Sequence, residues 1–177
     1  MKSKKVKNEL NSLFSGELFC IIMFPAIYFM RDNSSILKFN VATFSIVIGL
    51  SIILLEGVFY WKYTLKKINR KKVMNKWKVG RLYNIFKMFN LFMLVLIAIL
   101  IIFFSSVTER YEMLFQVLLY VFLILEYINY FHVRLSFYTR SKIFLQIIKP
   151  IKILFNRTEK PSKIANDIKY FKQNKED

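Results

Sequence analysis

Leu91 to Phe104 read L-F-M-L-V-L-I-A-I-L-I-I-F-F, a run with no charge, no glycine and no proline. Continued back to Leu82, the stretch reaches the length of about 20 residues that an α-helix needs to cross roughly 30 Å of hydrocarbon. Three further blocks of this kind appear on working outward, and the four cover about residues 13–30, 39–61, 82–104 and 111–133. Hydrophobic residues make up 55% of the 177 positions. That lies above the roughly 45–50% of soluble domains, and they are gathered into these blocks. No internal repeat or strand-like alternation is present. The sequence therefore predicts an all-α integral membrane protein. Residues 1–138 form a four-span helix bundle, and residues 139–177 form a basic interfacial segment and tail.

Charge supplies the orientation. The chain carries 28 Lys and Arg against 11 Asp and Glu, a net charge of +17. All but Arg31, Lys38 and Arg110 of the basic residues fall before the first block, between the second and third or, as Lys87, in the adjoining end of the third, or after the fourth. This is the positive-inside bias, which predicts both termini on the cytoplasmic side of the cell membrane. Clustered basic residues also attract nucleic-acid phosphates. Topology and anionic lipid headgroups already account for these, so nucleic-acid contact ranks last among the partners. The richness in Lys, Asn, Ile, Phe and Tyr points to a bacterial source with an AT-rich genome. The first block follows a basic stretch as a secretory signal does, yet no small-residue cleavage site follows it, and it reads as an uncleaved span.

Within the spans, Pro25 predicts a kink. Ala42, Ser45 and Gly49 share one face of span two, where small side chains let another helix approach closely. That face continues to Glu56. The stretch Lys62 to Arg81 is expected to be the central cytoplasmic loop. Its Lys66, Lys67, Arg70, Lys71, Lys72, Lys76, Lys78 and Arg81 form a surface for anionic headgroups or a partner. After span four, Ile143 to Phe155 mixes apolar residues with Lys149 and Lys152 around Pro150. It is too short and too charged for a fifth span, and reads as a C-terminal interfacial amphipathic helix. The tail after Asn156 is expected as a short helix or a mobile segment.

Ionisable groups inside a span cost about 2.5–3.5 kcal/mol each on insertion scales, so each demands an explanation. Glu17, Glu56 and Glu126 lie in spans, and Lys87, Asn90, Asn129 and His132 occupy matching depths. With a rise of about 1.5 Å per residue and alternating helix directions, all seven fall in one layer of the inner leaflet. The plain reading is a hydrogen-bond and ion-pair network in which Lys87 or Arg134 neutralises the glutamates. A sharper one is a proton- or cation-binding site. A metal centre is disfavoured because Asn129 stands where a di-iron bundle needs the histidine of Glu-x-x-His.

No catalytic signature is present. Among four glycines, one histidine and one cysteine there is no H-E-x-x-H, no nucleophile elbow, no phosphate loop and no Cys-His pair. Cys20 cannot form an intrachain disulfide. No enzyme activity, cofactor or metal is therefore expected. At Leu125 to Tyr138, L-E-Y-I-N-Y-F-H-V-R-L-S-F-Y, and at Pro161 to Ile168, P-S-K-I-A-N-D-I, the chain resembles small uncharacterised four-span membrane proteins of Gram-positive bacteria, some labelled general stress protein. The resemblance covers the final third and implies no reaction. It would make Glu126, Asn129, Tyr130 and His132 the shared feature.

The leading expectation is a non-enzymatic membrane module for protein–protein association or regulation at the cytoplasmic face, as a homo-oligomer or with a partner membrane protein. The rival is a small oligomeric channel, transporter or membrane-perturbing effector that uses the Glu/Asn/His layer.

Overall fold

The computed structural model describes residues 2–32, 40–104, 110–133 and 161–174. Among the described residues there are five helices: α1 (Lys2–Asp32), α2 (Val41–Ile68), α3 (Lys76–Phe104), α4 (Arg110–Phe131) and α5 (Lys163–Gln173). Among the described residues there is no strand, only an isolated antiparallel bridge between Val133 and Pro161. The first four helices are long and apolar enough to cross a membrane. The two short loops, Arg134 and the stretch around Pro150 expected as an interfacial helix lie outside the described residues.

Helix ends follow the chemistry of the caps. Asn40 is extended and its side chain accepts from the Ala42 amide at 2.9 Å, which starts α2. At the other end of α2, the Arg70 amide donates to Lys67 and the Lys71 amide to Lys66, the bonding pattern of a Schellman cap. Arg70 occupies the left-handed position, φ 54°, where glycine usually stands. Asn75 opens α3 by accepting from the Trp77 amide. These caps correct the expected loop. The helices run through Lys62–Ile68 and Lys76–Arg81, and only residues 69–75 are non-helical. Lys, Arg and Leu are good helix formers, so helix continues past the apolar boundary until asparagine ends it. In the same way α1 begins at Lys2, well before residue 13, and runs unbroken through Pro25 to Asp32.

The hub is α2, which packs against α1, α3 and α4. Ala42, Ile46, Leu50 and Ile53 on it are fully buried. Ile97, Leu94, Leu123 and Tyr127 close the core from α3 and α4. By contrast, Ile99, Ile102 and Phe103 on α3 and Leu114 and Leu118 on α4 are exposed. An outward apolar face on a helix of this length is what a hydrocarbon solvent allows.

The tail is a docked helix. Ile164, Ile168 and Phe171 on α5 are buried, and α5 lies on α3 and touches α4. Its cap residue Ser162 accepts from the Ala165 amide and donates its hydroxyl to the Tyr130 carbonyl. The Ser162 amide donates to the His132 carbonyl at 3.1 Å. Gly80 makes the docking possible, because a Cβ there would stand 2.7 Å from the Phe171 Cβ and closer to the Asp167 carbonyl oxygen. Of the two forms expected for this segment, a short helix or a mobile tail, residues 163–173 take the helix, and it is packed on protein. Its apolar residues recur at helical spacing and find an apolar face beside Val79 and Tyr83.

Candidate functional site

The polar residues of the spans meet at the end of the helices that carries the basic residues. Glu17 of α1 is the best supplied. Its Oε1 accepts from the Trp61 indole of α2 at 2.6 Å and from the Tyr130 hydroxyl of α4. One carboxylate oxygen thus ties three helices together. Gly57 leaves the room: a Cβ there would lie 2.5 Å from the Tyr130 hydroxyl and 2.7 Å from Glu17 Oε2. That second oxygen is buried and has no hydrogen-bond partner. Glu126 accepts from Asn129 on its own helix at 3.4 Å.

Glu56 is buried on the same side of α2 as expected from the small-residue face. Its Oε2 accepts from Asn90 Nδ2 at 2.6 Å, and its backbone carbonyl accepts from the Tyr83 hydroxyl at 2.8 Å. Asn90 is wholly buried, with its Oδ1 unpartnered. A hydrogen bond between spans is worth about 0.6 kcal/mol on average and up to roughly 1.7. These bonds therefore fix register and add only modestly to stability.

Lys87 and His132 stand apart from this cluster. Lys87 makes no ion pair with Glu17, Glu56 or Glu126, so of the two expected neutralising residues Lys87 does not play that part, and Arg134 lies outside the described residues. The contribution of Lys87 is its backbone carbonyl, which accepts from Tyr127 at 3.4 Å. Its side chain is half-buried at the edge, and its neighbours there are Lys172 and His132. A flexible ammonium stem follows water outward and leaves the carboxylates to neutral donors. His132 is exposed and lies against the Tyr127 ring, 5.5 Å between centroids.

On the packing face, Ala42 and Gly49 are buried, and a Cβ on Gly49 would meet Ile97 at 3.0 Å and Leu123 at 3.3 Å. Ser45 does not bridge helices through its hydroxyl, which bonds back to Val41 at 2.8 Å. Lys66, Lys67, Arg70, Lys71, Lys72, Lys78 and Arg81 are exposed. Lys76 instead pairs with Asp167 of α5 at 3.7 Å, and the other Asp167 oxygen accepts from Tyr60 at 2.9 Å.

Sequence reasoning missed a second buried group near the other end of the helices. Gln116 Nε2 donates to Thr43 Oγ1 at 3.0 Å, Thr43 reaches Glu112 at 3.5 Å, and all three are buried. The spacing of Glu112 and Gln116, one helical turn apart, was the available signal. Ile46, Leu50, Ile53 and Leu123 fill the space between the two polar groups. Among the described residues no three of His, Cys, Asp and Glu gather in a metal-ligand group.

Comparison with protein-family models, curated proteins and solved structures finds no match.

Proposed function

We propose that the chain is a non-enzymatic, four-span module of the cytoplasmic membrane, with both termini inside, that acts by association at its cytoplasmic end. The observation that carries this reading is the exposed array Lys66, Lys67, Arg70, Lys71, Lys72, Lys78 and Arg81 beside the docked tail helix. Among the described residues no carboxylate pairs with it, and within the inner leaflet's Debye length each such residue adds about 1 kcal/mol of attraction to anionic headgroups. An acidic segment of a partner membrane protein, or of a second copy, meets the same surface. In this reading the buried carboxylates are spent on joining helices: Glu17 links α1, α2 and α4, and Glu56 links α2 and α3.

The test is site-specific photo-crosslinking from a probe residue at exposed Met74, within the basic loop, in intact membranes. Discrete adducts are expected, and they should vanish when Lys66, Lys67, Lys71 and Lys72 are replaced by glutamine with helix content unchanged. Adducts with lipid alone would confine the reading to headgroup binding. Persistence of protein adducts in the neutral variant would overturn the electrostatic basis.

A second reading, an oligomeric channel or transporter, is favoured by one observation: Glu17, Glu56 and Glu126 have neutral hydrogen-bond partners and no lysine or arginine paired with them among the described residues. A single copy offers no wet path, since Ile46, Leu50, Ile53 and Leu123 close the interior between the polar groups. Conduction therefore needs several copies. Saturable, potential-dependent flux in proteoliposomes that is lost with Glu56→Gln would select it over association.

A further inference from the structure

Basic side chains from three helices converge where the far end of α5 meets α3 and α4. Lys87 follows Gly80 by two helical turns and shares its face of α3. Phe171 of α5 comes to rest against Gly80. Lys172, the next residue, is thereby brought to Lys87, and its charge acts there. From α4, the Tyr127 hydroxyl donates to the Lys87 carbonyl at 3.4 Å. The His132 ring lies 5.5 Å from the Tyr127 ring, near enough to Lys87 for the ammonium charge to reach it. His132 and Lys172 are exposed and Lys87 is half-buried. Among the described residues no carboxylate pairs with any of the three. Two ammonium groups held near one another repel until an anion joins them, and the imidazole adds an N–H donor. The position selects the anion. Leu91 and Val95 continue the Lys87 face of α3 along the span, and both are apolar and exposed. A basic pocket between spans, with apolar surface running inward from it, suits a phosphate headgroup that carries acyl chains.

We propose that Lys87, His132 and Lys172 form a binding site for the phosphate of an anionic phospholipid of the inner leaflet, whose acyl chains lie along Leu91 and Val95. The two ammonium groups supply charge, the imidazole supplies an N–H, and Tyr127 ties α4 to α3 beside them. Free phosphate offers the same oxygens without the chains, so it gains nothing from the apolar surface. Lys87 belongs to α3 and Lys172 to α5, so an occupied site pins the tail helix to the bundle. The proposal rests on the four-span reading with the basic end inside, and not on the exposed array in the central loop.

The test is native mass spectrometry of the full chain released from detergent, titrated with phosphatidylglycerol, with phosphatidylcholine of the same chains, or with inorganic phosphate. The expected result is a saturable lipid adduct with phosphatidylglycerol and none with the other two at the same concentration. Lys87→Gln and Lys172→Gln should each weaken it about fivefold. Replacing Lys66, Lys67, Lys71 and Lys72 by glutamine should leave it unchanged, which separates this site from the exposed array. Phosphatidylglycerol should also slow amide exchange across residues 163–173, and do so less in Lys172→Gln. Equal binding of phosphatidylcholine, an adduct with inorganic phosphate as strong as with the lipid, full affinity in Lys172→Gln, or loss of binding in the array variant overturns the proposal. Lys172 is exposed on α5, so its variant decides the matter even if Lys87→Gln fails to fold.

Discussion

Replacing Gly80 by alanine should detach the tail helix while leaving α3 intact. The new Cβ would stand 2.7 Å from the Phe171 Cβ and 3.0 Å from the Asp167 carbonyl carbon. Optimal carbon separations are about 3.5–4.0 Å, so α5 must retreat by roughly 1 Å. The obstacle includes backbone, which no rotamer change can move. Overpacking of this kind costs about 1–3 kcal/mol, and the retreat also loosens the Tyr60–Asp167 bond and the Trp77–Phe171 ring contact. The same substitution improves the helix propensity of α3 by up to about 1 kcal/mol. The two effects fall on different elements and can be read separately. A docking loss of 1–3 kcal/mol corresponds to about 5–150-fold more undocked tail. Amide hydrogen exchange across residues 163–173 of the purified chain should therefore accelerate by that factor, with α3 amides no faster than before. Unchanged protection of residues 163–173 would refute the close approach and the docking argued from it.

Arg70→Gly should stabilise the chain by about 1 kcal/mol, because the left-handed conformation penalises a side chain and not glycine; a lower unfolding midpoint in denaturant contradicts the cap assignment. Glu56→Ala strands the buried Asn90 amide and should cost about 1–3 kcal/mol, whereas Glu56→Gln keeps an acceptor and should cost less. Equal losses in the two variants would show that the Glu56–Asn90 bond contributes nothing. Gly16→Ala, where a Cβ meets no atom within 4 Å, should raise helix stability by about 0.8–1.0 kcal/mol. A loss there would point to a neighbour packed on α1.

The four apolar helices were legible because their signal is additive over some twenty positions and nothing in the rest of the chain imitates it. Glu56 was legible too, since it continues the Ala42–Gly49 face by a heptad. Partners were harder to read. Trp61 and Tyr83 look like aromatic-belt residues in the sequence and Tyr130 like a member of the stripe with Glu126 and Asn129, and only three-dimensional register shows their N–H and O–H groups donating to Glu17 and to the backbone of Glu56. The docked tail was hidden for a similar reason. Ile164, Ile168 and Phe171 mark an apolar face, but its target is fixed by Gly80, whose significance is a space and not a contact. Lys87 misled because depth alone does not determine pairing. A lysine near a helix end can extend toward water, and a neutral tyrosine or indole then satisfies the carboxylate at lower desolvation cost.

Topology labelling bears most directly on the central claim. In a Cys20→Ala background, single cysteines replacing Ser35, Asn69, Ser106 and Asn174 are treated with a membrane-impermeant maleimide on intact cells. Ser35→Cys and Ser106→Cys should react at once, and Asn69→Cys and Asn174→Cys only after the membrane is permeabilised. Reaction of Asn174→Cys on intact cells, or equal reaction at all four positions, would contradict four crossings with the basic end inside.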